Sequence, residues 1–139
     1  MSRLQNASTQ LVLVIEPDGL VRSTVAAVVR ELDLAQVHQA ASVQTGAQVL
    51  TNTAVDVLVL SLADNDAALD LLISLREGKC SSDSSIPVVV IASACDSALA
   101  LRLKELDVFR LLLRPFRIRD VVQTLQALMA DSSPELGVI

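Results

Sequence analysis

The sequence contains no tryptophan and no tyrosine, and only two phenylalanines, one histidine, two cysteines and four glycines. Each scarcity removes a class of function. Phe109 and Phe116 are the only aromatic rings, too few for a base-stacking platform. Eleven basic against sixteen acidic residues leave a net charge of −5, which repels phosphate backbones, so direct nucleic-acid binding is not expected. His38 is the lone histidine, and Cys80 and Cys95 stand fifteen residues apart, which suits neither a Cys/His zinc site nor a histidine-based triad. Gly19, Gly46, Gly78 and Gly137 form no phosphate-cradling glycine loop. Long apolar runs are missing too. Stretches such as Leu11–Ile15 are five residues long, against the roughly 20 that a bilayer span requires. The start, MSRLQNASTQ, has one arginine and no apolar segment, so it does not read as a signal peptide. Two lone cysteines without such a signal read as reduced thiols in a cytoplasmic protein.

What remains is strongly apolar. At 139 residues and 52% hydrophobic, the chain has the size and content of one densely packed domain. Leu11–Ile15, Val55–Leu62, Ile86–Ala92 and Phe109–Leu113 read as strands, with Gln36–Ala41 a weaker fifth. Strands that are aliphatic throughout are buried on both faces, as in a parallel sheet covered by helices. Helical spacing lies between them. Leu20, Thr24, Val25, Val28, Val29 and Leu32 recur at three and four, followed by Val43, Ala47 and Leu50, then Leu69, Leu72, Ile73 and Leu75 before Glu77-Gly78. Leu99, Leu103 and Leu106 follow a cap at Asp96 or Ser97, and a last helix spans Asp120–Ala130. Gly78–Ser85 reads as a solvated loop and Asp131–Ile139 as a frayed tail. Five β-α repeats predict a doubly wound α/β sandwich with right-handed crossovers. Ligands of such folds meet the residues just beyond the strands: here Glu16-Pro17-Asp18, Ser61 to Asp66, Ala92 to Asp96 and Arg114-Pro115.

Over residues 11 to about 130, the order and spacing of these segments resemble the receiver domain of bacterial two-component response regulators. LVLVIEPDGLVR stands where the family has a strand ending in two acids. Val55–Ser61 stands where its third strand ends in the phospho-accepting aspartate. Ile86-Pro87-Val88 opens the fourth strand, which ends at Ala92, and Arg114-Pro115-Phe116 matches the family's Lys-Pro-Phe. The resemblance implies a flavodoxin-like (βα)5 three-layer sandwich with sheet order 2-1-3-4-5, a receiver-like domain over 1–130 and a tail over 131–139. It also implies a cis Arg114-Pro115 bond.

The family's chemistry does not carry over. Phosphoryl transfer to a receiver needs a carboxylate nucleophile and carboxylate-held magnesium. Ser61 stands at the acceptor position, and a hydroxyl without an adjacent base is a poor nucleophile. Pro17 stands where a metal-touching acid belongs, Ala92 where a hydroxyl would follow the phosphoryl group (with Ser93 beside it), and Arg114 where the family has lysine. Glu16 and Asp18 keep carboxylates. Magnesium is therefore not expected, the only metal candidates being Glu16 with Asp64 or Asp66. Glu16 and Arg114 have two open readings, an ion pair across the old pocket or two separately solvated groups. Cys95 is either a pocket thiol or incidental.

A different signal comes from the fourth helix and fifth strand. Leu99, Leu101 and Leu103, with Leu111 and Leu112 on what reads as the edge strand, exceed what one buried face requires and suggest a contact surface. The resemblance makes the face of the fourth helix, fifth strand and fifth helix relevant to pairing. The expectation is a degenerate, non-enzymatic receiver-like signalling module, binding a protein partner or a second copy independently of phosphorylation. The alternatives are a flavodoxin-like nucleotide- or flavin-binding protein and a receiver switched by another ligand.

Overall fold

In the computed structural model, residues 10–33, 35–63, 65–130 and 137–138 are described. Five helices and six strands alternate through them: β1 (Leu11–Ile15), α1 (Gly19–Glu31), β2 (Gln36–Ala40), α2 (Val43–Asn52), β3 (Val57–Ser61), α3 (Asn65–Arg76), β4 (Val88–Ala92), α4 (Ser97–Glu105), β5 (Arg110–Leu113), α5 (Ile118–Met129) and β6 (Gly137–Val138). The sheet runs β2-β1-β3-β4-β5-β6, and every pairing is parallel. The expected five-strand order 2-1-3-4-5 is thus present, with one strand added. No helix among the described residues is long and apolar enough to cross a membrane.

Alternation along each strand sends successive side chains to opposite faces. Leu13, Ile15, Leu58, Leu60, Val88, Val90 and Leu111 face one layer, packed with Leu50, Leu72, Leu75 and Leu103 from α2, α3 and α4. Val12, Val14, Val57, Val59, Val89, Ile91 and Leu112 face the other, against Val25, Val29, Val121 and Leu125 from α1 and α5. Each buried leucine or valine removes apolar area from water at about 25 cal/mol per Å², which is why central strands with no polar alternation are stable here.

Local chemistry sets the boundaries. Asp18, Ser42 and Asp96 cap α1, α2 and α4 through their side-chain oxygens, satisfying amide donors that the helices leave free. Asp96, not Ser97, is the cap. Asp120 accepts from the Arg117 amide at 2.9 Å, so α5 begins at Ile118, two residues before its expected start. The expected helix end at Glu77-Gly78 is met by Gly78 at φ +79, a left-handed conformation that favours glycine. Asp56 anchors the start of β3: its Oδ2 accepts from the Leu11 amide at 2.8 Å, while its own amide donates to the Leu11 carbonyl at 2.9 Å. Gly46 lies in mid-helix because α2 crosses tightly over β1; a Cβ there would sit 2.2 Å from Ile15 Cδ1.

Two expectations about the fifth strand are corrected. β5 is not the sheet edge, because β6 pairs with Arg110 and Leu111. Part of the segment read as a frayed tail is therefore a strand, while residues 131–136 and 139 lie outside the described residues. The interface leucines are also mostly internal: Leu103, Leu111 and Leu112 are buried, and Leu99 is partly buried against the same core. The cause is geometric. A strand's side chains stand on the sheet faces, which helices cover, whereas its edge presents backbone. On α4, Leu99, Leu103 and Leu106 form the inward stripe, and Leu101, two residues out of phase, is the one left 59% exposed.

Candidate functional site

The carboxyl ends of β1, β3, β4 and β5 converge, and three polar side chains meet there. Glu16 follows β1 and is fully buried; Ser61 ends β3 and is 2% exposed. Arg114, immediately after β5, reaches across both. Its Nη2 pairs with Glu16 Oε1 and donates to Ser61 Oγ at 3.0 Å. The two readings left open for Glu16 and Arg114 resolve to an ion pair. Glu16 Oε2 accepts from the Asp18 amide at 3.0 Å, and the Glu16 carbonyl accepts from Arg22 Nη1 at 2.7 Å. Ser61 Oγ also accepts from the Ala63 amide at 3.2 Å. A carboxylate this deep is tolerable because a fixed cation and an amide donor replace its lost hydration.

The remaining predicted residues fall around this cluster or turn away from it. Pro17 and Asp18 are exposed, and the Asp18 carboxylate caps α1 by accepting from the Leu20 and Val21 amides. Ala92, Ser93 and Arg114 line a hollow of about 280 Å³ with Leu62, Ala63 and Ala94. The Arg114-Pro115 bond is cis. Asp64 lies outside the described residues, and Asp66 is exposed in the first turn of α3. Cys95 stands beyond β4, where burial first, and then the neighbouring Asp96 carboxylate, push its thiol pKa up. That holds the sulfur in its unreactive protonated form. His38 is exposed on β2.

Sequence reasoning missed Arg76, at the end of α3 on the opposite side of the sheet from the carboxyl ends. Its guanidinium donates to the carbonyls of Leu106, Ser84, Ile86 and Asp107, tying α3 to the segments before β4 and β5. Burial, opposed by Asp107, pushes its pKa down. An arginine ending a helix carries no local sign of partners up to thirty-one residues away.

No protein-family model matches the sequence, and no curated protein matches it. Solved structures do match by shape. A response regulator from Thermotoga maritima superposes with a TM-score of 0.75 at 19% identity, covering 88% of this chain and 99% of that one. The HemR receiver domain from Leptospira biflexa gives 0.76 at 20% identity, covering 91% and 99%. A CheY-like receiver domain protein from Methanospirillum hungatei gives 0.76 at 12% identity, covering 89% and 96%. What is shared at such identities is the course of the backbone: this chain has the receiver-domain fold of response regulators.

Proposed function

We propose that the chain is a receiver-like signalling module that acts by binding another protein, independently of aspartyl phosphorylation. One observation carries the reading: the Arg114 guanidinium joins Glu16 and Ser61 where a receiver would gather its metal and phosphoryl group. Ser61 has an arginine and the Ala63 amide on its hydroxyl oxygen, and the nearby carboxylate, already paired with Arg114, is not free to act as its base. The donor set does not suit magnesium, which wants near-octahedral oxygen ligands including a carboxylate or two. Pro17 offers no side-chain oxygen, Asp18 is occupied at the helix cap, and Glu16 is neutralised by Arg114. The hollow beside them, lined by no aromatic side chain among the described residues, is small for a nucleotide or flavin.

With the charge of the pocket satisfied from within, the partner-binding surface is set by the fold and is always present. The side made by α4, β5 and α5, where β6 pairs along Arg110 and Leu111 of β5, keeps Leu101 of α4 as an exposed apolar anchor beside the Arg102–Glu105 pair at 3.7 Å. The test is direct. Incubated with acetyl phosphate and magnesium, the protein should show no phosphoryl adduct by intact mass. Ser61→Asp alone should restore little labelling, and Pro17→Asp with Ser61→Asp more. Stable labelling of the unmodified chain would overturn the reading.

A further inference from the structure

The sixth strand is the feature that the pocket does not explain. β6 lies parallel on β5 with Arg110 opposite Gly137 and Leu111 opposite Val138, whereas β5 itself runs four residues, Arg110–Leu113. Among the described residues, the register sets Gly137 and Val138 beside two of β5's four residues. A strand of two residues is held by few ladder bonds, so it belongs to the low-stability end of the fold, which opens locally without global unfolding. An opened edge presents a row of backbone donors and acceptors that templates another strand. The chain offers one segment already shown to fit that edge, its own Gly137–Val138.

We infer that the outer edge of β5 is a strand-docking site, filled in cis by Gly137–Val138 and filled in trans by the same segment of a second copy. The exchanged pairing makes the same backbone contacts as the internal one, so the two states differ mainly in tethering, the ordinary basis of domain swapping. The internal strand is covalently joined to its own domain, which makes its pairing intramolecular. The internal strand therefore wins in dilute solution, and exchange grows when it is weakened. The inference rests on the β5–β6 pairing and stands or falls separately from the phosphorylation reading.

The probe is a labelled peptide of residues 131–139, titrated by fluorescence anisotropy into the full chain and into the full chain carrying Val138→Pro. Proline removes a strand amide and bars the pairing geometry, so the variant's edge stands open. The peptide should bind the variant at least about tenfold more tightly than the wild type, since apparent affinity scales with the fraction of competent edge. Hydrogen exchange of the Arg110 and Leu112 amides, which alternation turns away from β4, should be faster in the variant and slow again when peptide is added. Thermal melts of the variant confirm that the domain stays folded. Equal binding to wild type and variant would remove the internal strap. Binding to neither would remove the docking site, and equal binding of a scrambled peptide would remove the second copy as its specific occupant.

Discussion

Arg114→Met should cost this domain more stability than removing both members of its buried ion pair. In the native site the Glu16 side chain is 1% exposed and that of Arg114 26%, so the carboxylate depends on the guanidinium in place of water. Breaking a buried pair from one side costs about 3–5 kcal/mol when the surviving charge has no other partner. Two features reduce that here. The Asp18 amide still donates to Glu16 Oε2, and the space vacated by a partly exposed arginine admits solvent, so about 2–3 kcal/mol is expected. Glu16→Gln leaves an arginine that can hydrate and an amide oxygen that can still accept from Asp18, for about 1 kcal/mol. The double variant loses the pair but strands no charge, and should also cost about 1 kcal/mol, a coupling of about 2–3 kcal/mol between the sites. Urea denaturation with unchanged m-values is the assay, and melting should fall by about 3 °C per kcal/mol for a chain of this size. An Arg114→Met loss below about 0.5 kcal/mol, or an additive cycle, would refute the claim that Arg114 neutralises a buried carboxylate.

Gly46→Ala adds a methyl 2.2 Å from Ile15 Cδ1 and 2.5 Å from its Cγ1. The gain of about 1 kcal/mol in helix propensity should be outweighed by overpacking of about 1–3 kcal/mol, and a melt that rises would sink the close-packing argument. Thr124 is 1% exposed, and its Oγ1 has no hydrogen-bond partner, so the isosteric Thr124→Val should stabilise by about 1 kcal/mol in chemical denaturation; a loss would mean that the hydroxyl is satisfied after all. Leu103→Ala should cost about 2–5 kcal/mol, as expected for a core leucine, while Leu101→Ser stays within about 0.5 kcal/mol. Comparable losses for the two would contradict the inward stripe on α4.

The layered architecture was legible in the sequence because it depends on local pattern. Aliphatic runs such as Leu11–Ile15 and Val88–Ala92 are buried on both faces in a helix-covered parallel sheet, and the side-chain oxygen of Asp96 caps its helix through an amide three residues on. That Pro17 has no side-chain oxygen, Ala92 no hydroxyl and Ser61 no carboxylate was legible for the same reason, since each is a property of the residue itself. What Arg114 does with its charge was not. Its partners, Glu16 and Ser61, are 98 and 53 residues away, and only the convergence of strand ends brings them together. Leucine content likewise could not say which leucines are surface. Phase on α4 and the helices covering both sheet faces bury Leu103, Leu111 and Leu112 and spare Leu101. The covering of β5 was also beyond local pattern, because a two-residue strand has no periodicity and exists through its backbone pairing with residues 110 and 111. Side-chain identity determined what chemistry the pocket could lack; long-range packing alone decided which charges meet and which edge is closed.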